Sequence, residues 1–189
     1  MILIFFGPPG AGKGTQAKFF ASKLNIVHLS TGEILRNQLK KESKLSLELN
    51  RTIETGQLVS DKILNKIVLE RIKQKDCNKG FIFDGYPRTI TQALFIDDYL
   101  FNNNLLFSYF IEFIIDDDSI IERITSRALT ESRSDDSKEA IKTRLKKYYE
   151  ETKPVLDYYQ NKYSSIYHKI DGKQEIAKLN NLLIKLLIK

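Results

Sequence analysis

Short apolar runs and longer stretches of helical spacing take turns along this chain. The runs at Ile2–Phe6, 27–29, Phe81–Asp84, 107–115 and 165–170 are a few residues each and rich in β-branched, aromatic or other apolar side chains. That is the pattern of buried strands. The segments between them are longer and carry apolar residues at helical intervals. Ser30 with Glu33, and Thr89 with Gln92, place a hydroxyl three residues before Glu or Gln, as at a helix start; Asp136 with Glu139 reads similarly. Gly56 and Gly172 read as stops or turns. Near the end, Ile176, Leu179, Leu183 and Leu187 share one helical face, which predicts a helix packed on the sheet.

Such alternation predicts an α/β fold: a doubly wound, five-stranded parallel sheet in three layers, with helices on both faces. Sheets of this kind bind ligands at the carboxyl ends of their strands. Two segments break the rhythm. Residues 30–60 carry helical pattern throughout, more than one crossover helix needs, and 128–134, "ALTESRS", reads as a short polar loop between two helices.

Composition narrows the picture a little. The chain has 189 residues, 42% apolar and 29% charged, which suits one compact domain over 1–189. No apolar run nears the roughly 18 residues needed to span a bilayer, so no membrane association is expected. No basic stretch precedes the first apolar run, so no signal peptide is expected either. Cys77 is the one cysteine. That excludes an internal disulfide and any multi-cysteine zinc site, and it fits a reducing, cytoplasmic setting. The net charge of +6 allows nucleic acid, an anionic surface or anionic small molecules as partners, but the charges are interspersed and form no long basic block. More telling is that only eight of the 30 basic residues are Arg.

The chemistry starts directly after the first run, at "GPPGAGKGTQ" (7–16). Gly7, Gly10, Gly12 and Gly14 can take positive φ and turn backbone N–H groups toward an anion. The helix that follows adds its positive end, and Lys13 can place an ammonium among phosphate oxygens. The common phosphate-loop pattern has Ser or Thr straight after the lysine. Here Gly14 stands there and Thr15 comes one residue late.

That variant spacing resembles the loop of adenylate kinases and the related nucleoside monophosphate kinases. The resemblance continues in order through "LSTGEILR" (29–36), "GQLVSD" (56–61), "GFIFDGYPRTITQA" (80–93), "ERITSR" (122–127), "SRSDD" (132–136) and "IKTRL" (141–145). It covers nearly the whole chain, in the short-lid form of the family, and implies a monomer that moves the terminal phosphoryl group of ATP·Mg²⁺ to AMP, giving two ADP. By resemblance, 30–59 is the AMP-binding insert and 128–134 a very short lid over ATP, with Arg133 and the flanking helices expected to carry closure.

The residue roles follow from the same resemblance. ATP meets Gly10, Ala11, Gly12, Lys13, Gly14 and Thr15, the arginines Arg123 and Arg127, and the main chain at Gln174. AMP meets Thr31, Arg36, Gln57, Leu58, Val59, Gly85, Tyr86, Pro87, Arg88 and Gln92. Arg133 and Arg144 reach the transferring group from either side of the second break. Asp84 holds Mg²⁺, directly or through its waters, while Asp135 and Asp136 cap the helix that begins there or position lid arginines. This uses six of the eight arginines in a chain with 22 lysines, as expected for a planar fork matched to phosphate. His28 and His168 fall in strand patterns and read as structural. Two alternatives stay open: a UMP/CMP kinase of the same fold, against which Thr31 speaks because those relatives tend to carry Ala there, and a non-catalytic nucleotide switch or nucleic-acid binder.

Overall fold

A computed structural model describes residues 1–39, 52–131 and 137–188, without the side chains of 39, 127–131 and 138. Five strands form one all-parallel sheet: β1 (Ile2–Phe6), β2 (Val27–Ser30), β3 (Phe81–Asp84), β4 (Tyr109–Ile114) and β5 (Tyr167–Asp171), in the order β2-β3-β1-β4-β5. Among the described residues the longer helices are α1 (Lys13–Leu24), α2 (Thr31–Leu39), α3 (Asp61–Ile72), α4 (Ile90–Asn102), α5 (Asp117–Glu131), α6 (Lys138–Lys147), α7 (Lys153–Lys162) and α8 (Ile176–Leu187). A π-helical turn, Tyr148–Thr152, joins α6 to α7.

The central strand shows why the sheet lies between two helical layers. All five residues of β1 are buried, because both of its faces are covered. Successive side chains point to opposite faces. Ile2, Ile4 and Phe6 join a core with Val68 of α3, Ile96 of α4 and Leu156 of α7. Leu3 and Phe5 join a second core with Phe20 of α1, Ile124 of α5, Ile141 of α6 and Leu183 of α8. At the carboxyl edge, Phe5 is level with Asp84, and Ser30 is level with Asp84 on the other side. The turns after β1, β2 and β3 therefore meet at one end of the sheet.

Several expected boundaries move. The run at 107–115 shortens to β4, because Ser108 spends its N–H on the Ile2 carbonyl (2.7 Å) and its hydroxyl accepts from the Ile2 N–H (3.2 Å). The run at 165–170 shifts toward β5, since Ser164–Ile166 forms a 3₁₀ turn. The stripe on α8 begins at Leu179: Leu179, Leu183 and Leu187 are buried, while Ile176 is 60% exposed at the cleft mouth. The polar loop expected at 128–134 is a correction. Helix α5 runs on through Glu131, since Ala, Leu and Glu are good helix formers and one Thr does not break a helix. Residues 132–134 lie outside the described ones. The helix start read at Asp136 falls at Ser137, whose hydroxyl accepts from the Ala140 N–H; Asp136 itself is outside the description. Among the described residues no helix is long and apolar enough to cross a membrane.

Candidate active site

The turn after β1 is shaped by its glycines. Gly7 has φ +142°, and a Cβ there would lie 2.7 Å from the Phe113 carbonyl oxygen. Gly12 closes the turn in the left-handed region (φ 87°) as the residue before α1. Helix α1 starts with no side-chain cap and no acidic residue in its first turn. The positive end of this helix faces the opening, the arrangement that holds an anion. Lys13 spans the turn, its Nζ donating to the carbonyls of Gly7 and Pro8 at 2.7 Å each.

Asp84 stands beside this turn at the end of β3, its side chain 13% exposed. His28 Nε2, from the neighbouring strand β2, lies 3.1 Å from Asp84 Oδ2. Burial pushes the Asp84 carboxyl up, but the His28 hydrogen bond and the charges of Lys13, His28 and Arg88 outweigh it, so the group titrates below the ordinary aspartate value. Gly14 faces it: a Cβ at Gly14 would lie 3.3 Å from Asp84 Oδ2. A side chain where the general phosphate loop has Ser or Thr would crowd this carboxylate.

The turn after β3 carries the next group. Thr31 is 2% exposed, and its hydroxyl donates to the Gly85 carbonyl at 2.9 Å. Arg88 Nε donates to the same carbonyl at 2.7 Å. Gly85 is favoured here by its backbone (φ +79°), which L side chains rarely adopt, and a Cβ would also crowd Thr31 Oγ1 at 3.0 Å. Across the opening, Arg123 donates to the Gly172 carbonyl at 2.9 Å. Gly56 lets the chain pass close to α6, since its Cβ would meet the Ala140 carbonyl oxygen at 2.6 Å and Arg144 Cγ at 3.0 Å.

Together these turns enclose one cleft of about 580 Å³, in the range of small-molecule sites. Lys13, Arg36, Arg88, Arg123 and Arg144 reach it from five separate segments. Of the expected ATP-side residues, Gly10, Ala11, Gly12, Gly14, Thr15 and Gln174 line it; so do Thr31, Gln57, Leu58, Val59, Asp84 and Gly85. Arg133, Asp135 and the side chain of Arg127 lie outside the described residues.

Three expected AMP contacts stand behind the wall instead. Tyr86 is 1% exposed, packed on Phe83 with ring centroids 5.3 Å apart, and its hydroxyl donates to Asn65 Oδ1 at 2.7 Å. Pro87 beside it is buried. Gln92 is fully buried with both ends of its amide engaged: Oε1 accepts from the Arg88 N–H (2.8 Å) and Nε2 donates to Asp61 Oδ1 (2.7 Å). Thr89 completes the group, capping α4 through the Gln92 N–H and donating to Asp61 Oδ2 at 2.9 Å. In this arrangement Gln92 braces the arginine rather than facing the cleft.

Sequence reasoning missed His28, Asp61 and Thr152 as neighbours of the site. Asp61 closes the segment "GQLVSD" and could have been noticed there. His28 owes its place to the pairing of β2 with β3, where His28 is level with Ile82, and no local pattern encodes that. The donor set at Asp84 suits a hard cation that keeps most of its water: one carboxylate, with the space beside it left open by Gly14. Among the described residues no three His, Cys, Asp or Glu side chains gather as a metal cage.

Comparison with known proteins agrees in one direction. The adenylate kinase family model matches residues 5–164. The adenylate kinase of Chelativorans sp. is 40% identical, with all of both chains covered. That of Fusobacterium nucleatum is 39% identical, over 98% of this chain and 97% of its own. The adenylate kinase of Leptospira biflexa is 38% identical, over 97% of each.

Proposed function

This chain belongs to the adenylate kinase family, and we propose that its cleft performs the reversible transfer of the terminal phosphoryl group of ATP to AMP, giving two ADP. The observation that carries the reading is the convergence of Lys13 and four arginines, from five segments, on one cleft beside an uncapped helix end. Phosphoryl transfer spreads negative charge over the equatorial oxygens of the moving group and needs placed cations more than a nucleophilic side chain.

The phosphate loop and Lys13 hold the ATP phosphates, with Arg123 and the turn at Gly172–Gln174 beside the base. Arg36 and Arg88 grip the AMP phosphate, and Thr31, Gln57, Leu58 and Val59 border its nucleoside. Arg144, with Arg127 and Arg133, neutralises the group in transit. Asp84, paired with His28, would hold the Mg²⁺ that enters with ATP, directly or through its waters, and that ion would supply charge neutralisation at the phosphates. Closure by the AMP-binding segment 30–59 and, on the ATP side, by Arg133 with its flanking helices excludes water, so that transfer outruns hydrolysis. The 1–189 unit acts as a cytoplasmic monomer on free nucleotides rather than on nucleic acid, in keeping with a buried free thiol at Cys77.

An acceptor panel tests this. With ATP·Mg²⁺ as donor and AMP, UMP, CMP or GMP as acceptor, AMP should give by far the fastest ADP formation. A preference for UMP or CMP would overturn the reading.

A further inference from the structure

At least three bonds hold Arg88. Its N–H donates to Gln92 Oε1 and its Nε to the Gly85 carbonyl. Its own carbonyl accepts from Thr152 Oγ1 at 3.1 Å, across 64 residues of chain. The first two ties are local. The third joins the turn after β3 to the helical rod that carries Arg144.

Thr152 differs from two other threonines inside helices, Thr125 and Thr143. The hydroxyls of Thr125 and Thr143 return to the carbonyls four residues back, Ile121 (2.8 Å) and Glu139 (2.9 Å), the usual habit. Thr152 lies in continuous helical backbone too, yet its hydroxyl crosses to Arg88. The π-helical turn Tyr148–Thr152 makes this possible. Pro154 lacks an N–H, and its ring would collide with the Glu150 carbonyl in a regular helix; the widened turn removes the collision and re-aims the side chains within it. Beyond the turn α7 is fixed. Val155, Leu156 and Tyr159 are fully buried, and the Tyr159 ring stacks on Phe110 with centroids 4.7 Å apart. Thr152 is 7% exposed. Packing alone would be served equally by Val, so the hydroxyl is there for its bond.

We propose that Thr152 is a positioning residue for Arg88, setting the height at which that guanidinium meets the acceptor phosphate relative to Arg144. This rests on the reading above that Arg88 grips AMP.

The test compares Thr152→Val, which keeps volume and loses the donor, with Thr152→Ser, which keeps the donor. Val should raise the KM for AMP about five-fold, the value of one buried hydrogen bond, with the KM for ATP within about twofold. Ser should restore the AMP KM to within about twofold. A Val variant with an unchanged AMP KM, or with both KM values raised alike, overturns the proposal, as does a folded Ser variant that behaves like Val. Should Val not fold, Thr152→Ala against Thr152→Ser reads the same contrast. Arg88→Ala in the same assay separates the two layers: it should raise the AMP KM far more than Val does. If it raises it and Val does not, positioning alone fails; if Arg88→Ala leaves it unmoved, the reading of Arg88 falls and this proposal with it.

Discussion

The turn after β1 and the turn after β3 stand side by side, Phe5 level with Asp84, yet they are held in different ways. In the first, Ala11 N–H donates to the Pro8 carbonyl, and Lys13 donates to Gly7 and Pro8. Every one of these partners lies within six residues. The second has local bonds too, from Arg88 to Gly85 and Gln92, but ties from elsewhere in the chain join them: His28 on Asp84, Thr31 on Gly85, Asp61 on Thr89 and Gln92, Thr152 on Arg88. One turn is a local device that grips with backbone and one ammonium. The other is a junction whose shape depends on four remote elements. Damage to the first should therefore abolish chemistry and spare the fold, while damage around the second should shift affinity and stability together.

Lys13→Ala puts the first half of that contrast to the hardest test. Removing a cation that meets the phosphates should lower turnover about 10³-fold. The helix, the glycine turn and both cores stay, so the melting temperature should move by no more than about 3 °C. Turnover within tenfold of the parent, by coupled ADP assay, would mean that the loop does not hold the reacting phosphates.

Gly14→Ala probes where the two turns touch. Gly14 lies in the first turn of α1, and Ala is worth up to about 1 kcal/mol over Gly in a helix. The added methyl would sit 3.3 Å from Asp84 Oδ2. We expect a melting temperature equal to the parent's or a few degrees higher, with kcat/KM for ATP·Mg²⁺ lowered about tenfold and more Mg²⁺ needed for half-maximal rate. Stability and activity that fall together would show the crowding to be structural rather than local to the carboxylate.

The same contrast explains what was legible in the chain. The β1 turn was readable because its determinants are consecutive: an apolar run, glycines at fixed offsets, a lysine, a helix start. The order of strands and helices was readable for a similar reason, since period two and period 3.6 are local signals. Gly14 was readable as part of the family's variant loop, but its approach to the Asp84 carboxylate, 70 residues away, was not. The burial of Tyr86, Pro87 and Gln92 was not readable, because a motif says that residues occur together and not which way each one faces. Gln92 turned inward since Asp61 and the Arg88 N–H offered partners for both ends of its amide. The helical run through 128–131 was missed because polar Thr and Ser in "ALTESRS" outweighed Ala, Leu and Glu in the reading.

Asp61→Ala is the gentlest way to break the second turn, and its pattern matters more than its size. The carboxylate accepts from Gln92 Nε2 and from Thr89 Oγ1 at once. Ala strands both donors, one of them on a fully buried side chain, and also removes an acidic residue from the first turn of α3. A stranded buried donor costs about 1–3 kcal/mol, so the melting temperature should fall by roughly 5 °C. Gln92 then loses the partner that fixes its amide, Arg88 N–H loses a well-aimed acceptor, and the KM for AMP should rise about five-fold. The ATP side shares none of these bonds, so its KM should hold within about twofold. Asp61→Asn keeps one acceptor oxygen and should fall between parent and Ala in both measurements. Equal rises in both KM values would show that the junction after β3 is part of the general scaffold, and the contrast between the two turns would fail.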